Sequence, residues 1–248
     1  MEGFRQELAE NGYMRQVEVT FADCGPDRKM RVGAMLTAAA CAAGFDYDAR
    51  GLTYEVLYRN REIFLLSRLA LSIHRCPEAG DVLDLHTWEN GVKGAHMQRV
   101  YQLRDQSGET RVSMKSDWIL VDPVSRKILR PASFTARPIY VCPVDIDCPN
   151  PQKVVLPADN AQELGERAIR WSDLDGNGHL FSGNYGDVIW DALPEDLQTK
   201  LPQTFFINYS REVTLRDTLR LRGIQEGSNY RMEGVGPNGP CFTALCCF

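Results

Sequence analysis

Residues 171–180, WSDLDGNGHL, crowd Asp173, Asp175, Asn177 and His179 into a glycine-loosened turn, and an apolar helical pattern from Tyr185 to Leu193 follows. His179 is one of only four histidines in the chain. Carboxylate, amide and imidazole groups before a helix start can converge with N-terminal N–H donors, which is how a small hydrolytic site is built. The same spacing also suits a solvated turn or a calcium loop. Of these, the EF-hand is the weaker reading, because its loop wants Gly at position six and Glu at position twelve. Counted from Asp173 those positions hold Gly178 and Asn184, and from Asp175 Leu180 and Gly186, so neither register supplies the bidentate carboxylate.

The rest of the chain must position that turn. Its 248 residues, 44% of them hydrophobic, suffice for one large domain or two ordinary ones with a real core. No apolar run approaches the roughly 20 residues that span a bilayer, and MEGFRQELAENG is too acidic and polar for a secretory signal, so a soluble, cytoplasmic protein is expected. A net charge of −5 without a Lys/Arg block argues against general nucleic-acid binding. None of the eight cysteines falls in a C-x-x-C pair, and most read as small buried hydrophobes.

The same plan is legible twice. Val17, Val19 and Phe21 alternate as a strand, and Val32, Met35, Leu36, Ala39 and Ala43 recur at helical spacing up to Gly44, which suits a helix C-terminus. Four strand-like runs follow, around Leu69, Leu83, Met97 and Met114, with DQSG as the hairpin turn between the last two. A stretch rich in Pro and Asp, RPIYVCPVDIDCPNPQKVVLPAD, reads as a linker. A second unit repeats the order: a strand ending at Ile169–Trp171, a helix stopped by Pro194, then strands through Ile207, Leu221, Met232 and Phe242. The predicted fold is α+β: two tandem units, each an antiparallel sheet wrapped around a long helix, spanning 10–135 and 163–248 with a linker over 136–162. Only the second unit carries the polar loop, which predicts one site per chain.

These residues resemble the acyl-acyl-carrier-protein (acyl-ACP) thioesterases of the double hotdog fold. That family's motif, close to D-L-D-x-N-x-H-V-N-N-x-x-Y, is matched by Asp173, Leu174, Asp175, Asn177, His179 and Tyr185, with Pro194 closing the helix. Its downstream Y-x-R-E-C strand is matched by Tyr209, Arg211, Glu212 and Val213. SRLALSIHRCPEAGD, Trp88 and DWILVDPVSRKILRP resemble the N-terminal signatures, so the resemblance covers nearly the whole chain. Phe181 and Ser182 stand where the family has two asparagines, and Val213 stands where it has cysteine. A Cys-His nucleophile cannot be built there, which leaves Glu212 as the carboxylate; Ser182 is a candidate helix cap.

The resemblance implies a hotdog pseudo-dimer that hydrolyses fatty acyl-ACP to free fatty acid, with no metal and no organic cofactor. It gives Glu212 as general base or nucleophile, His179 as proton shuttle or water orienter, Asn177 as donor to the thioester and Asp175 as the carboxylate fixing the loop. Asp173 reads as structural, and backbone N–H groups at 182–186 as oxyanion donors. An apolar tunnel in the N-terminal unit would take the acyl chain, with Met35, Leu36, Phe64, Leu66 and Met97 as candidates. Acyl carrier protein, an acidic partner, would need a basic surface, for which Arg211, Arg216, Arg220 and Arg222 are available. Acyl-CoA hydrolysis, a hotdog hydratase or dehydratase, and a non-catalytic acyl-thioester sensor are the alternatives, and further pairing into a homodimer stays open.

Overall fold

Alternation at Leu83, Leu85 and Thr87 buries one face of strand β4 (Val82–Lys93) and leaves the other partly solvated, as a period of two requires. The computed structural model describes residues 5–10, 12–139, 142–157 and 160–248. Ahead of β4 come β1 (Gln6–Leu8), β2 (Gly12–Glu18), helices α1 (Val32–Ala49) and α2 (Tyr54–Arg59), and β3 (Ile63–Ile73). After it come β5 (His96–Arg104), β6 (Thr110–Val121), β7 (Gln162–Ala168), α3 (Asn184–Ala192), α4 (Glu195–Gln198), β8 (Thr204–Tyr209), β9 (Thr218–Glu226), β10 (Asn229–Gly236) and β11 (Gly239–Cys247).

These strands form one antiparallel sheet in the order β1-β2-β4-β5-β6-β3-β8-β11-β10-β9-β7. Outward from β3 and β8 the order matches on the two sides, β6-β5-β4-β2 against β11-β10-β9-β7, with β1 added at one edge. The seam is the β3–β8 pair, with Leu69 opposite Ile207 and Leu71 opposite Phe205. These side chains face α1 and α3 in the main core, which also holds Met35, Leu36 and Ile189. Because neighbouring residues on a strand point to opposite faces, Ala70, Phe206 and Leu245 form a second cluster on the other side.

That second cluster corrects the reading of 136–162 as a simple linker. Ile146, Cys148, Val154 and Leu156 are buried, and the first three cover Ala70, Phe206 and Leu245. The Asn208 side chain accepts from Val154 N at 2.7 Å and donates to the Gln152 carbonyl at 2.8 Å, tying the strap across the seam.

Other sequence expectations also shift. Gly44 does not end α1: the helix runs on to Ala49 and ends before Gly51, whose φ of +74° favours glycine. Phe21 is not in a strand, because β2 stops at Glu18 and Asp23 accepts from Thr20 N, winding Phe21–Asp23 into a 3-10 turn with Phe21 exposed. Trp171, read as a strand end, opens a like turn over Trp171–Asp173 and is exposed. All eight cysteines are free, but only Cys148, Cys241 and Cys246 are fully buried, and Cys41 lies on the exposed side of α1. No helix among the described residues is long and apolar enough to cross a membrane.

Helices α1 and α3 meet backbone to backbone. A Cβ on Gly186 would lie 2.6 Å from both Cα and N of Gly33, and one on Gly183 would lie 2.1 Å from Thr37 Oγ1. Arg31 Nη1 donates to Asp187 Oδ2 at 2.9 Å beside this crossing. The contact fixes where α3 starts, and hence the loop before it.

Candidate active site

The polar loop is held by its own carboxylates. Asp175 Oδ1 accepts from the N–H groups of Asn177 (2.8 Å) and His179 (3.2 Å), and Asp175 N donates to the His179 carbonyl (2.8 Å). Gly178, at φ +78°, closes that turn where an L side chain would be strained. Asp173 is structural as expected: its oxygens accept from Arg167 Nη2 (2.9 Å) and Arg170 N (2.7 Å).

Glu212 arrives from the neighbouring segment. The sequence suggested a strand there, yet β8 stops at Tyr209, where Ser210 N and Arg211 N both turn to the carbonyl of Cys241. Glu212 therefore stands on the turn after the strand. Leu180 N donates to the Val213 carbonyl at 2.7 Å, which clamps this turn to the polar loop. The result is a His179 Nε2–Glu212 Oε2 separation of 3.5 Å, both side chains about one third exposed.

Arg126 completes the group, and sequence reasoning missed it. It forms an ion pair with the same Glu212 oxygen from a turn between β6 and the strap, 86 positions away. That turn is built: Asp122 Oδ1 accepts from Val124 N and Ser125 N, and Arg126 itself sits at φ +59°. Its segment, DWILVDPVSRKILRP, carries part of the resemblance noted in the sequence, but nothing local there shows that Arg126 reaches Glu212. The guanidinium holds the same Oε2 that lies 3.5 Å from His179 Nε2, which orients the carboxylate towards the imidazole. Arg126→Ala should therefore lower turnover about tenfold while leaving thermal stability unchanged, and Arg126→Lys should restore part of the loss; steady-state kinetics beside a melting curve checks both.

His179, Glu212, Asp175 and Asn177 line one cavity of about 330 Å³. A bulge in β3 between Leu66 and Arg68 turns Phe64, Leu65, Leu66 and Ser67 onto its wall together. A second cavity of about 390 Å³ shares Ala40, Phe64, Leu65, Trp118 and Asn177 with the first. Of the tunnel candidates, Phe64, Leu66 and Met97 line one or both cavities, whereas Met35 and Leu36 are packed core. Tyr185 lines the catalytic cavity, and burial pushes its phenol pKa well up, so it stays neutral.

Two finer expectations change. Ser182 does not cap α3, whose N-cap position is Gly183 with no side-chain cap. The N–H groups of Asn184 and Gly186 already donate to the Phe181 and Gly183 carbonyls at 2.9 and 3.1 Å, so they are not oxyanion donors. Among the proposed basic residues only Arg211 lines the catalytic cavity. Arg222 is held by Glu233 (3.0 Å) and Glu163 (3.4 Å), Arg220 lies opposite Glu166 at the β7 edge, and Arg216 sits in a turn at φ +71°.

The polar loop is also not unique to the second half. Thr20 N→Asp23 Oδ2 (2.8 Å), Gly25 N→Lys29 O (2.9 Å) and Arg28 N→Gly25 O (2.9 Å) repeat Arg170 N→Asp173 Oδ2 (2.7 Å), Asp175 N→His179 O (2.8 Å) and Gly178 N→Asp175 O (3.0 Å). In this first loop Gly25, Asp27 and Lys29 stand where the second has Asp175, Asn177 and His179. Cys76, in the segment facing that loop, has its thiol pushed up to about 12 by burial, so it is not a thiolate near neutral pH. The scaffold occurs twice, and the acid/base pair only once.

Comparison with known proteins gives the family. A family model for the acyl-ACP thioesterase N-terminal domain matches residues 10–133, and one for the C-terminal domain of the same family matches 157–235. The chain belongs to the acyl-ACP thioesterase family. A chloroplastic acyl-acyl-carrier-protein hydrolase of Cuphea viscosissima is 27% identical over 179 residues, covering 68% of this chain and 43% of that protein. The chain thus spans less than half the length of that relative. The crystal structure of an acyl-ACP thioesterase from Bacteroides thetaiotaomicron superposes with a TM-score of 0.84 at 22% identity, covering 96% of this chain and 97% of the other. The 12:0-ACP thioesterase of Umbellularia californica gives a TM-score of 0.78 at 18% identity, covering 97% and 98%. The likeness in fold is to these hotdog-type enzymes.

Proposed function

We propose that this family member hydrolyses the thioester of fatty acyl-ACP to free fatty acid and carrier-protein thiol, in the service of fatty acid biosynthesis. The observation that carries the reading is the His179–Glu212 pair at 3.5 Å on the wall of a cavity that runs into a second, largely apolar one. Glu212 acts as general base, taking a proton from water as the water oxygen bonds to the thioester carbonyl carbon. The developing oxyanion is met by the Asn177 amide, which lines the same cavity. Collapse breaks the C–S bond, and the proton taken from water returns through His179 to the departing sulfur. Asp175 holds the loop; Val213 offers no thiol, so no Cys nucleophile acts from that position.

In this reading the chain is two tandem hotdog units, 10–135 and 163–248, joined by the 136–162 strap into an intrachain pseudo-dimer. The sheet order, matched on the two sides of the β3–β8 seam apart from β1, and the repeated loop hydrogen bonds support it. The eight free cysteines fit a reducing, cytoplasmic setting.

The carrier-protein preference has an electrostatic test. A chain of net charge −5 repels an acidic carrier at long range, so docking would rely on Arg211, on the wall of the catalytic cavity, and on Arg126, which pairs with Glu212. Screening shortens from about 10 Å at 0.1 M salt to about 3 Å at 1 M. We expect kcat/KM for acyl-ACP to fall steeply with salt, the same acyl group on coenzyme A to react more slowly with a shallower salt slope, and Arg211→Glu to weaken mainly the carrier reaction. Equal rates and slopes for the two substrates would remove the carrier assignment and leave the hydrolysis standing.

A further inference from the structure

The inner cavity is not apolar throughout. Phe64, Leu52, Leu57 and Met97 form much of its wall, but Tyr47, Glu89 and Arg99 also line it, and these three are absent from the catalytic cavity. Arg99 and Glu89 face each other across β4 and β5, and β4 bulges between Glu89 and Gly91, which has φ +139°. Both side chains are nine-tenths or more buried, as is Asp46. Arg99 Nη2 donates to Asp46 Oδ2 (2.8 Å) and lies 3.7 Å from Glu89 Oε1; Arg137 Nη2 donates to Glu89 Oε2 (2.8 Å). Tyr47 Oη donates to Glu89 Oε1 (2.8 Å), and its ring stacks on Phe64 at 5.4 Å. Burial raises the Tyr47 phenol pKa, which keeps the group a neutral donor.

Buried ion pairs do not in general stabilise a fold more than apolar residues of the same volume. A wall that met only methylene groups would gain nothing from them, because an alkyl chain displaces water from polar groups without replacing its hydrogen bonds. The charge count narrows what the wall can meet. Within the buried network the carboxylates of Asp46 and Glu89 are balanced by the guanidiniums of Arg99 and Arg137, and Arg50 reaches Asp46 from the partly exposed C-terminal end of α1. A carboxylate at the far end of an acyl chain would therefore bring an uncompensated buried charge, whereas a hydroxyl can both donate and accept.

We propose that the inner cavity selects acyl chains bearing a hydroxyl group remote from the thioester, with the hydroxyl donating to the Tyr47 oxygen, whose own proton is held by Glu89, and accepting from Arg99. The proposal rests on the thioesterase reading above and names its substrate class. The test compares carrier-protein thioesters of matched length, over several lengths, that are unsubstituted, hydroxylated at the terminal or next carbon, or carboxylated at the terminus. At the preferred length kcat/KM for a hydroxylated chain should exceed that for the unsubstituted one about tenfold or more, and Tyr47→Phe should bring that ratio down towards one. A second measurement needs no catalysis: displacement of a fluorescent fatty acid by free hydroxy acids, which should be tighter than by plain acids and lose that advantage in Tyr47→Phe. Unsubstituted chains handled as well as hydroxylated ones at every length, or a preference for terminal carboxylates, overturns the proposal with the hydrolysis intact. Absence of hydrolysis for all thioesters instead removes the thioesterase reading, and the displacement assay still decides the selectivity.

Discussion

His179→Ala and Glu212→Gln each lower turnover on an acyl-ACP substrate by about a hundredfold or more, and the double variant is little worse than either single one. The expectation follows from the shared work of the pair: one group takes the proton from water and the other, 3.5 Å away, passes it to sulfur, so losing either stops the relay. Glu212→Gln keeps the shape and much of the hydrogen bonding, so the loss reports chemistry and not folding. Steady-state rates on all three variants, with melting curves alongside, make the comparison. Losses that multiply in the double variant would mean that the two side chains act independently, and the relay would have to be abandoned.

Gly186→Val has the largest expected effect on stability. The new side chain would start 2.6 Å from the backbone of Gly33 and 3.2 Å from the Val32 carbonyl carbon, and no rotamer change relieves a clash with backbone. Overpacking commonly costs 1–3 kcal/mol, and this contact should cost about 3 kcal/mol or more. For a chain of this size that is a fall in Tm of roughly 6–12 °C. Because α3 would be pushed off α1, the Leu180–Val213 clamp and the His179–Glu212 spacing should loosen as well, and activity should fall below the melting range. Gly44→Ala is the control: nothing lies within 4 Å of its Cβ position in the middle of α1, so helix propensity should add about 0.5–1 kcal/mol. A Gly186→Val protein that melts with the parent would show that the helix crossing is not tight.

The strands were legible because their period of two is set by burial on one face, as Leu83, Leu85 and Thr87 illustrate. The polar loop was legible because Asp, Asn, Gly and His at alternate positions have few other uses. What failed was local punctuation overridden by tertiary context. Gly44 looked like a helix stop, but the stop is at Gly51, where the backbone needs a positive φ. Glu212 looked like a strand residue, but Cys241 draws the backbone of Ser210 and Arg211 out of the ladder. The Pro-rich 136–162 segment looked like a spacer because the sheet face it covers comes from strands far away in the chain. The loop in the first half escaped notice because its hydrogen bonds are made by the backbone, Asp23 and Asp27, and no imidazole stands at the position of His179. Arg126 and the Tyr47–Glu89–Arg99 wall are pairings across distance, which no local pattern encodes.

The most direct measurement is to incubate the purified protein with fatty acyl-ACP in ¹⁸O-labelled water, following thiol release and the mass of the acyl product. The account predicts stoichiometric thiol and free fatty acid carrying one solvent oxygen, with the rate collapsing in Glu212→Gln. Intact thioester with an acyl chain that has gained or lost water, or binding with no change in either partner, would contradict it.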